Sequence, residues 1–217
     1  MSAKLAPPRP EELAAALRLI RSNPQSKAAS KRLAAVHSSE NEHWATPPEI
    51  AEAAHAILGG IDLDPCHNQQ SILEALHTRT KVQDGLAVPW SSPEFARAPG
   101  RRVRVYVNPP YGRHLGDWFA HAVEAAQEGA EVLLLVPART DVDWWHRWVA
   151  HADAVCFWQG RITFLGAPAP APFPSALIFY GQERLAAAER VFRSRGLLWT
   201  PRRDNAGDVP LQRKLAW

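Results

Sequence analysis

The sequence predicts an open α/β fold, with a mostly parallel sheet and helices on both faces. Apolar, β-branched runs alternate with stretches of helical periodicity from residue 44 to residue 180. The run 132–136 is apolar without interruption, which is typical of a central strand buried on both faces. Several runs end in polar or proline-containing turns, as strands do where they deliver functional groups. We therefore expect the functional loops to gather at the carboxyl ends of the strands.

The elements can be justified in chain order. Thr46 is the predicted N-cap of a helix that has Pro47 and Pro48 at its start and that ends near Leu58, before two glycines. The other predicted strands are 61–64, 103–107, 131–136, 154–158 and 176–180, and the other predicted helices are 70–76, 116–128, 141–151 and 183–194. We expect residues 1–40 to form an arm with one short helix (11–21), residues 41–199 the main domain, and residues 200–217 a polar tail.

Composition excludes several classes of protein. No apolar run reaches membrane-spanning length, and the N-terminus lacks a secretory apolar core. Cys66 and Cys156 form neither a disulfide framework nor a zinc spacing, so free thiols in a reducing cytoplasm are expected. The net charge is only +3, but residues 97–113 contain five arginines and no acid, and residues 184–214 are also rich in arginine. Such clusters fit a polyanionic partner, although the second one fits a solvated surface equally well.

The stretch Asn108-Pro109-Pro110-Tyr111 closes an apolar strand and is the most informative motif. Proline has no N–H, so the turn offers the Asn108 side-chain oxygen and the Pro109 carbonyl as two acceptors with little competition from donors. Two acceptors suit the two hydrogens of an aromatic amine, and Tyr111 can stack on its ring. The alternative is a plain tight turn after a strand, because Asn-Pro and Pro-Pro are common turn dipeptides.

Two acidic segments are candidates for holding a nucleoside. Asp62 and Asp64 lie on the first strand, and the Asp64-Pro65 turn could hold a cationic amino-acid group or ribose hydroxyls. Asp64 could instead cap a following helix, and no glycine-rich loop follows it. Asp84 could accept from a purine amino group while Leu86 covers the ring, or the Asp-Gly pair could be an ordinary turn.

Two further segments follow the later strands. Arg139 leaves the strand at 131–136 beside the expected site, where it could contact phosphate or substrate, and Arg161 lies in the loop 160–164. Trp144, Trp148 and His151 recur at helical spacing, which favours a packed core stripe.

These motifs occur together in an order that resembles a known family. Residues 44–49, 61–65, 84–86 with Trp90, 107–111, 136–141 and 160–164 are similar to the ordered motifs of phage-type (Dam-like) DNA adenine-N6 methyltransferases. The resemblance covers roughly residues 38–181. It implies a Rossmann-like fold dependent on S-adenosylmethionine, with residues 41–199 as the catalytic domain. One departure is that the glycine-rich turn usual in the wider methyltransferases is absent after Pro65.

The resemblance also implies roles for individual residues. Asn108 and Pro109 would accept from N6 of an adenine flipped out of double-stranded DNA, with Pro110 in the same turn and Tyr111 stacked on the ring. The residues expected to bind S-adenosylmethionine are Thr46, Pro47, Asp62, Asp64, Pro65, Asp84 and Leu86. Arg113, Arg139 and Arg161 would contact DNA, and no metal is expected. The implied setting is the cytoplasm of a bacterial host, with a phage or prophage origin.

Rival functions remain open at this level. The same tetrapeptide serves other planar nitrogens, such as cytosine N4, an RNA adenine or a protein glutamine. Asn rather than Ser at its first position favours adenine by resemblance. A catalytically silent nucleic-acid-binding module would bind without transferring a methyl group.

Overall fold

The computed structural model describes residues 44–200, so the predicted arm with its helix at 11–21 and nearly all of the predicted tail lie outside the described residues. The helices are α1 (Pro48–Leu58), α2 (Leu115–Gln127), α3 (Asp143–Trp148) and α4 (Leu185–Arg195). The strands are β1 (Ile61–Asp64), β2 (Ala75–Thr78), β3 (Arg104–Val107), β4 (Glu131–Pro137), β5 (Ala154–Trp158), β6 (Ser175–Tyr180) and β7 (Gly196–Trp199). The boundaries predicted for the arm, domain and tail stay predictions.

The seven strands form one sheet in the order β2-β1-β3-β4-β6-β5-β7. The first four strands in this order, β2, β1, β3 and β4, pair in parallel. Strand β6 runs antiparallel to both β4 and β5, and β7 runs antiparallel to β5. Strands β1 to β5 therefore all point in one direction, and β6 and β7 point in the other. The prediction of an open, mostly parallel α/β sheet is confirmed, and β4 is its central strand.

Helices cover both faces of the sheet because successive side chains on each strand point to opposite sides. Val105 and Leu134 pack with α2 and α3 in one buried cluster. Tyr106 and Leu133, one residue along on the same two strands, pack with α1 and α4 in the other. Every residue of β3 and β4 is buried, so both strands lie between two apolar layers.

The helix α1 ends as predicted but begins differently. Gly59 follows it with φ +66°, a left-handed value that glycine adopts without strain, and its N–H donates to the His55 carbonyl. Pro47, not Thr46, is the N-cap, and no side chain caps the helix. The prediction for Thr46 as a cap was wrong because its hydroxyl is buried against the hydroxyl of Tyr106, at 3.0 Å.

Three other elements differ from the prediction. The helix expected at 70–76 is absent, and its last two residues begin the edge strand β2, since pairing with β1 overrides a weak local helical pattern. No strand was predicted at 196–199, at the end of the main domain, but β7 forms there and pairs with β5. Helix α3 is shorter than 141–151 and continues as a 3₁₀ turn, Val149–His151. Trp148 packs against the core as expected, although Trp145 is the more buried residue.

Buried Glu131 connects the start of β4 to the segment before α4. Its carboxylate accepts hydrogen bonds from the backbone N–H groups of Gln182, Glu183 and Arg184, at 2.9–3.1 Å. This buried charge is therefore satisfied by three donors. Among the described helices, none has the length and apolar character needed to cross a bilayer.

Candidate active site

A cleft of about 590 Å³ opens where β1 and β3 end. These two strands are neighbours in the sheet. After β1 the chain goes to β2 on one side, and after β3 it goes to β4 on the other side, so the two connections diverge at this crevice. Open α/β sheets bind ligands at such points. The lining residues are Trp44, 65–70, 80–82, Asp84, Gly85, 108–110 and Trp118.

The side-chain amide of Asn108 has a determined orientation. Its Nδ2 donates to the Trp44 carbonyl at 2.6 Å and to Thr46 Oγ1 at 3.3 Å. A backbone carbonyl can only accept, so the nitrogen must face Trp44 and the oxygen must face away from it. The oxygen accepts one hydrogen bond, from the Tyr111 hydroxyl at 2.9 Å, and has a second lone pair.

Tyr111 lies beside this amide but does not line the cleft. Its ring makes edge contacts with Phe164 and Phe173, at centroid distances of 6.0 and 5.6 Å. Its hydroxyl also lies 3.3 Å from the Leu135 carbonyl, and burial raises the pKa of the phenol well above its ordinary value. The hydroxyl is therefore a neutral donor shared between Asn108 and β4, and the ring does not face a base in this arrangement.

Pro109 and Pro110 complete this wall of the cleft. Among residues 44–200, no donor reaches the Pro109 carbonyl, whereas the Pro110 carbonyl accepts from Gly112 at 3.1 Å. An acceptor without a protein partner at the rim of a cleft is available to a ligand.

The turn after β1 is stabilised by Asp64. One carboxylate oxygen accepts from the backbone N–H of Cys66 at 3.1 Å, and the other lies 3.2 Å from Nδ1 of His67. Asp64 thus caps its own turn, and no helix follows it. The hydrogen bond with Asp64 raises the pKa of His67. Burial, with a contribution from Asp64, raises the pKa of the Cys66 thiol, which keeps it protonated and a poor nucleophile.

The segment that carries Asp84 is held against this turn. Asp84 has φ +46°, a value that few non-glycine residues adopt, and its carboxylate accepts from the Leu86 N–H at 3.2 Å. Gly85 approaches the Pro65 carbonyl so closely that a Cβ there would lie 1.8 Å from the oxygen. Buried Trp90 donates from its indole N–H to the Gly85 carbonyl at 2.8 Å. Asp84 is therefore an exposed carboxylate on a constrained turn at the edge of the cleft.

The predicted cofactor residues divide into two groups. Pro65 and Asp84 line the cleft, and Asp64 lies beneath its turn. The others do not line it: Thr46, Pro47, Asp62 and Leu86.

The four residues outside the cleft have other contacts. Thr46 and Pro47 lie behind Asn108 and at the start of α1. Asp62 points to another face, where it accepts from the Arg104 N–H at 3.0 Å and pairs with Arg97 at 3.3 Å. Leu86 packs on the core behind the Asp84 turn.

The arginines lie at opposite ends of the parallel strands. Arg113, Arg139 and Arg161 follow β3, β4 and β5, whose carboxyl ends share the edge with the cleft. Among the described residues, none of these three side chains has a hydrogen-bonding or ionic partner. The rest of the cluster at 97–113 lies before or at the start of β3, on the far edge, where Arg104 also approaches Glu183 at 3.5 Å. The expected polyanion cluster is thus divided by the strand that runs through it.

The cleft also contains residues that sequence reasoning did not assign. Trp44, His67 and Trp118 are the most prominent. Trp44 could have been assigned from the sequence, since it is the first residue of the first motif. Its packing could not, because its ring contacts that of Phe164, far away in the sequence, at a centroid distance of 4.8 Å. Trp118 lies within the predicted helix 116–128 and has no signal of its own, and His67 has no counterpart in the family motifs.

The cleft fits S-adenosylmethionine in size and in chemistry. Its volume lies within the range of pockets that hold drug-sized ligands. The exposed carboxylate of Asp84 supplies an acceptor, and Trp44 and Trp118 supply apolar surface. These groups match the amino and ring portions of a nucleoside.

The comparisons with known proteins identify the family of this chain. The family model described as DNA N-6-adenine-methyltransferase (Dam) matches residues 34–175 and includes the segments that build the cleft. No match was found among curated proteins. Because the match covers more than half of the sequence, the chain belongs to the DNA N-6-adenine-methyltransferase (Dam) family.

Proposed function

We propose that this protein transfers a methyl group from S-adenosylmethionine to N6 of an adenine that has been flipped out of double-stranded DNA into the cleft. The observation that carries the proposal is the paired acceptor site on the cleft wall. Asn108 offers a lone pair of its oriented side-chain oxygen, and next to it the Pro109 carbonyl has no protein donor among the described residues.

The cofactor would lie across the ends of β1 and β3. Asp84, exposed on its rigid turn, would accept from the adenine amino group of the cofactor, and the turn after Asp64 would hold the methionine portion. When bound, S-adenosylmethionine supplies a methyl group on a sulfonium, a strong electrophile with a neutral leaving group. The chain therefore needs to orient the two reactants more than to activate them.

Asn108 and Pro109 would perform that orientation at the target base. Their oxygens would accept the two N6 hydrogens, which draws the nitrogen lone pair out of the ring and towards the methyl group. As the nitrogen gains positive charge, both hydrogen bonds strengthen, so they stabilise the transition state more than the ground state. Pro110 keeps the turn rigid. Tyr111 would orient the Asn108 amide, and stacking on the adenine would require its ring to leave Phe164 and Phe173.

The base must leave the duplex because N6 is inaccessible within the stack. Arg113, Arg139 and Arg161 lie on the edge that the DNA would face and would contact its phosphates.

We place the enzyme in the reducing cytoplasm of a bacterial host, which suits the free cysteines Cys66 and Cys156. A phage or prophage origin stays a prediction.

Replacing Asn108 with Ala tests the proposal. We expect methyl transfer to fall about 10²-fold or more, as when one preorganised hydrogen-bonding group is removed from a transition state. Cofactor affinity should change little. The measurement is incorporation of labelled methyl from S-adenosylmethionine into unmethylated DNA, followed by nucleoside analysis, with calorimetric binding of the cofactor in parallel.

The nucleoside analysis also separates the rival acceptors. N6-methyladenine supports the proposal, whereas N4-methylcytosine, or binding to DNA without methylation, contradicts it. A variant Asn108→Ala that retains near-normal turnover would remove this residue from the mechanism.

A further inference from the structure

His67 stands out among the cleft residues because both its backbone and its ring are anchored. Its backbone N–H donates to the Arg79 carbonyl at 2.8 Å, which connects the turn after β1 to the end of β2. Its Nδ1 lies 3.2 Å from a carboxylate oxygen of Asp64, a residue that is only 4% exposed. The imidazole is therefore held in one orientation at the wall of the cleft.

The partners of the ring determine which of its atoms faces a ligand. An ionised carboxylate only accepts, so Nδ1 of His67 must carry the hydrogen in the contact with Asp64. Nε2 has no hydrogen-bond partner among the described residues. Because the Asp64 contact raises the pKa of His67, the ring takes up its second proton, at Nε2, at a higher pH than a free imidazole does. The cleft then contains a cationic N–H donor in a fixed position.

The position of His67 indicates which part of the cofactor it meets. Its neighbour Cys66 lies against the backbone of Asn108, so this turn is at the end of the cleft where the methyl group would be transferred. Asp84, the expected partner of the adenine group, lies on a separate segment that also carries Lys81. Asp64, Lys81 and Asp84 are the other charged residues at this cleft in the described part of the chain.

We propose that His67 binds the α-carboxylate of the methionine portion of S-adenosylmethionine. This inference rests on the proposed function. The carboxylate is the anionic group of that cofactor, and a charge-assisted hydrogen bond from a fixed imidazolium suits it. The inference also accounts for the absent glycine-rich turn, since an anion that other sites hold with backbone N–H groups is here held by a side chain.

The experiment compares two ligands on matched variants. Binding of S-adenosylmethionine and of its decarboxylated analogue is measured by calorimetry for the wild type, His67→Ala, His67→Lys and Ile72→Ala. Ile72 is exposed in the same connection between β1 and β2 but does not line the cleft, so it serves as the control for mutation of that segment. We expect the wild type to prefer the carboxylated ligand by about tenfold to a hundredfold, the range for one charge-assisted hydrogen bond.

The variant His67→Ala should lose most of that preference through weaker binding of S-adenosylmethionine alone, while the decarboxylated analogue binds as to the wild type. His67→Lys should restore part of the preference, and Ile72→Ala should keep all of it. The affinity of the wild type for S-adenosylmethionine should also fall with rising pH more steeply than that of His67→Ala, because the imidazolium of His67 loses its charge when it is deprotonated.

Three results would overturn the inference. One is unchanged binding of S-adenosylmethionine by His67→Ala, and another is an equal loss for both ligands, which would show a merely structural role. The third is equal loss of preference in Ile72→Ala. Failure of the wild type to bind either ligand would instead refute the proposed function, and this inference with it.

Discussion

Asn108 is oriented by residues far from it in sequence. The Trp44 carbonyl and the Thr46 hydroxyl hold its nitrogen, and the Tyr111 hydroxyl holds its oxygen. Thr46 is held in turn by the buried hydroxyl of Tyr106. A side-chain amide can rotate by half a turn at little local cost, so these partners are what fix the direction of its oxygen.

Tyr111→Phe tests this orienting role. The variant keeps the ring and its packing but removes the donor to Asn108. We expect the rate of methyl transfer to fall roughly tenfold, since small misplacements of reacting groups are costly. The free energy of unfolding should fall by about 1 kcal/mol, the net value of one hydrogen bond. Single-turnover kinetics and denaturant unfolding give the two quantities.

Tyr180→Phe is the matched control for that experiment. The hydroxyl of Tyr180 is also buried and donates to a backbone carbonyl, that of Trp148, at 2.9 Å. Its loss should cost similar stability and leave the rate unchanged. An equal loss of rate in both variants would show that general destabilisation, and not the orientation of Asn108, causes the effect.

The pair of His67 and Asp64 predicts a pH dependence of stability. The folded state raises the pKa of His67 above its ordinary value near 6.5, so the folded protein binds the proton more tightly than the unfolded chain. This stabilisation is complete below the unfolded pKa and disappears as the pH rises through the folded pKa. We expect the melting temperature of the wild type to exceed that of His67→Gln by more at pH 5.5 than at pH 8.5.

Thermal unfolding across that pH range checks the prediction, with His114→Gln as the control. His114 is exposed and contacts the exposed Asp117. A gap between wild type and His67→Gln that widens with pH would contradict the assignment of the ring partner.

At the scale of elements, the cleft depends on how two loops meet. The turn after β1 and the segment 84–86 come together because Gly85 has no side chain and Trp90 binds its carbonyl. Ordinary Asp-Gly chemistry accounts for a turn at this point. Only the contact with Pro65 explains why the glycine is needed at the cleft.

Gly85→Ala should separate these loops. Its Cβ would lie 1.8 Å from the Pro65 carbonyl oxygen, which is backbone and cannot move cheaply. We expect a loss of about 1–3 kcal/mol in the free energy of unfolding, typical of overpacking, together with weaker cofactor binding. Calorimetry and denaturant unfolding measure both, and Gly112→Ala, which would meet no atom within 4 Å, serves as the control. Unchanged cofactor affinity in a folded Gly85→Ala protein would separate this contact from the binding site.

The elements also show what local sequence predicts well. Strands β1, β3, β4, β5 and β6 were located because their apolar residues either alternate with polar ones or run on without a break, and because strong turn signals follow several of them. The edge strands β2 and β7 were missed because each is half-covered and mixed in character, so its state depends on the neighbour with which it pairs.

At the scale of the whole molecule, the direction of the strands separates two groups of arginines. Arg113, Arg139 and Arg161 leave the sheet at the edge with the cleft, whereas Arg101 precedes β3 at the other edge. Arg101 and Arg113 are close in the sequence, but β3 and the turn that follows it separate them in the structure.

Salt-dependent DNA binding distinguishes the two edges. Replacing Arg113, Arg139 or Arg161 with Ala should each reduce the slope of log K against log salt by about 0.9, the value for one lost phosphate contact. Arg101→Ala should leave the slope unchanged. Fluorescence anisotropy with duplex DNA at several salt concentrations measures the slope. An equal effect of Arg101→Ala would show that DNA contacts the opposite edge as well.

The sequence by itself determined the α/β class, the central strands, the Asn108 turn and the ordered motifs that place the chain in its family. These signals are local, because periodicity and turn chemistry act over a few residues. Only the tertiary structure decided that Thr46 and Tyr111 orient Asn108, that Asp62 and Leu86 lie outside the cleft, and that His67 lies within it. Those outcomes depend on contacts such as that between Asn108 and Trp44, which are 64 residues apart, and on which face of a strand each side chain takes.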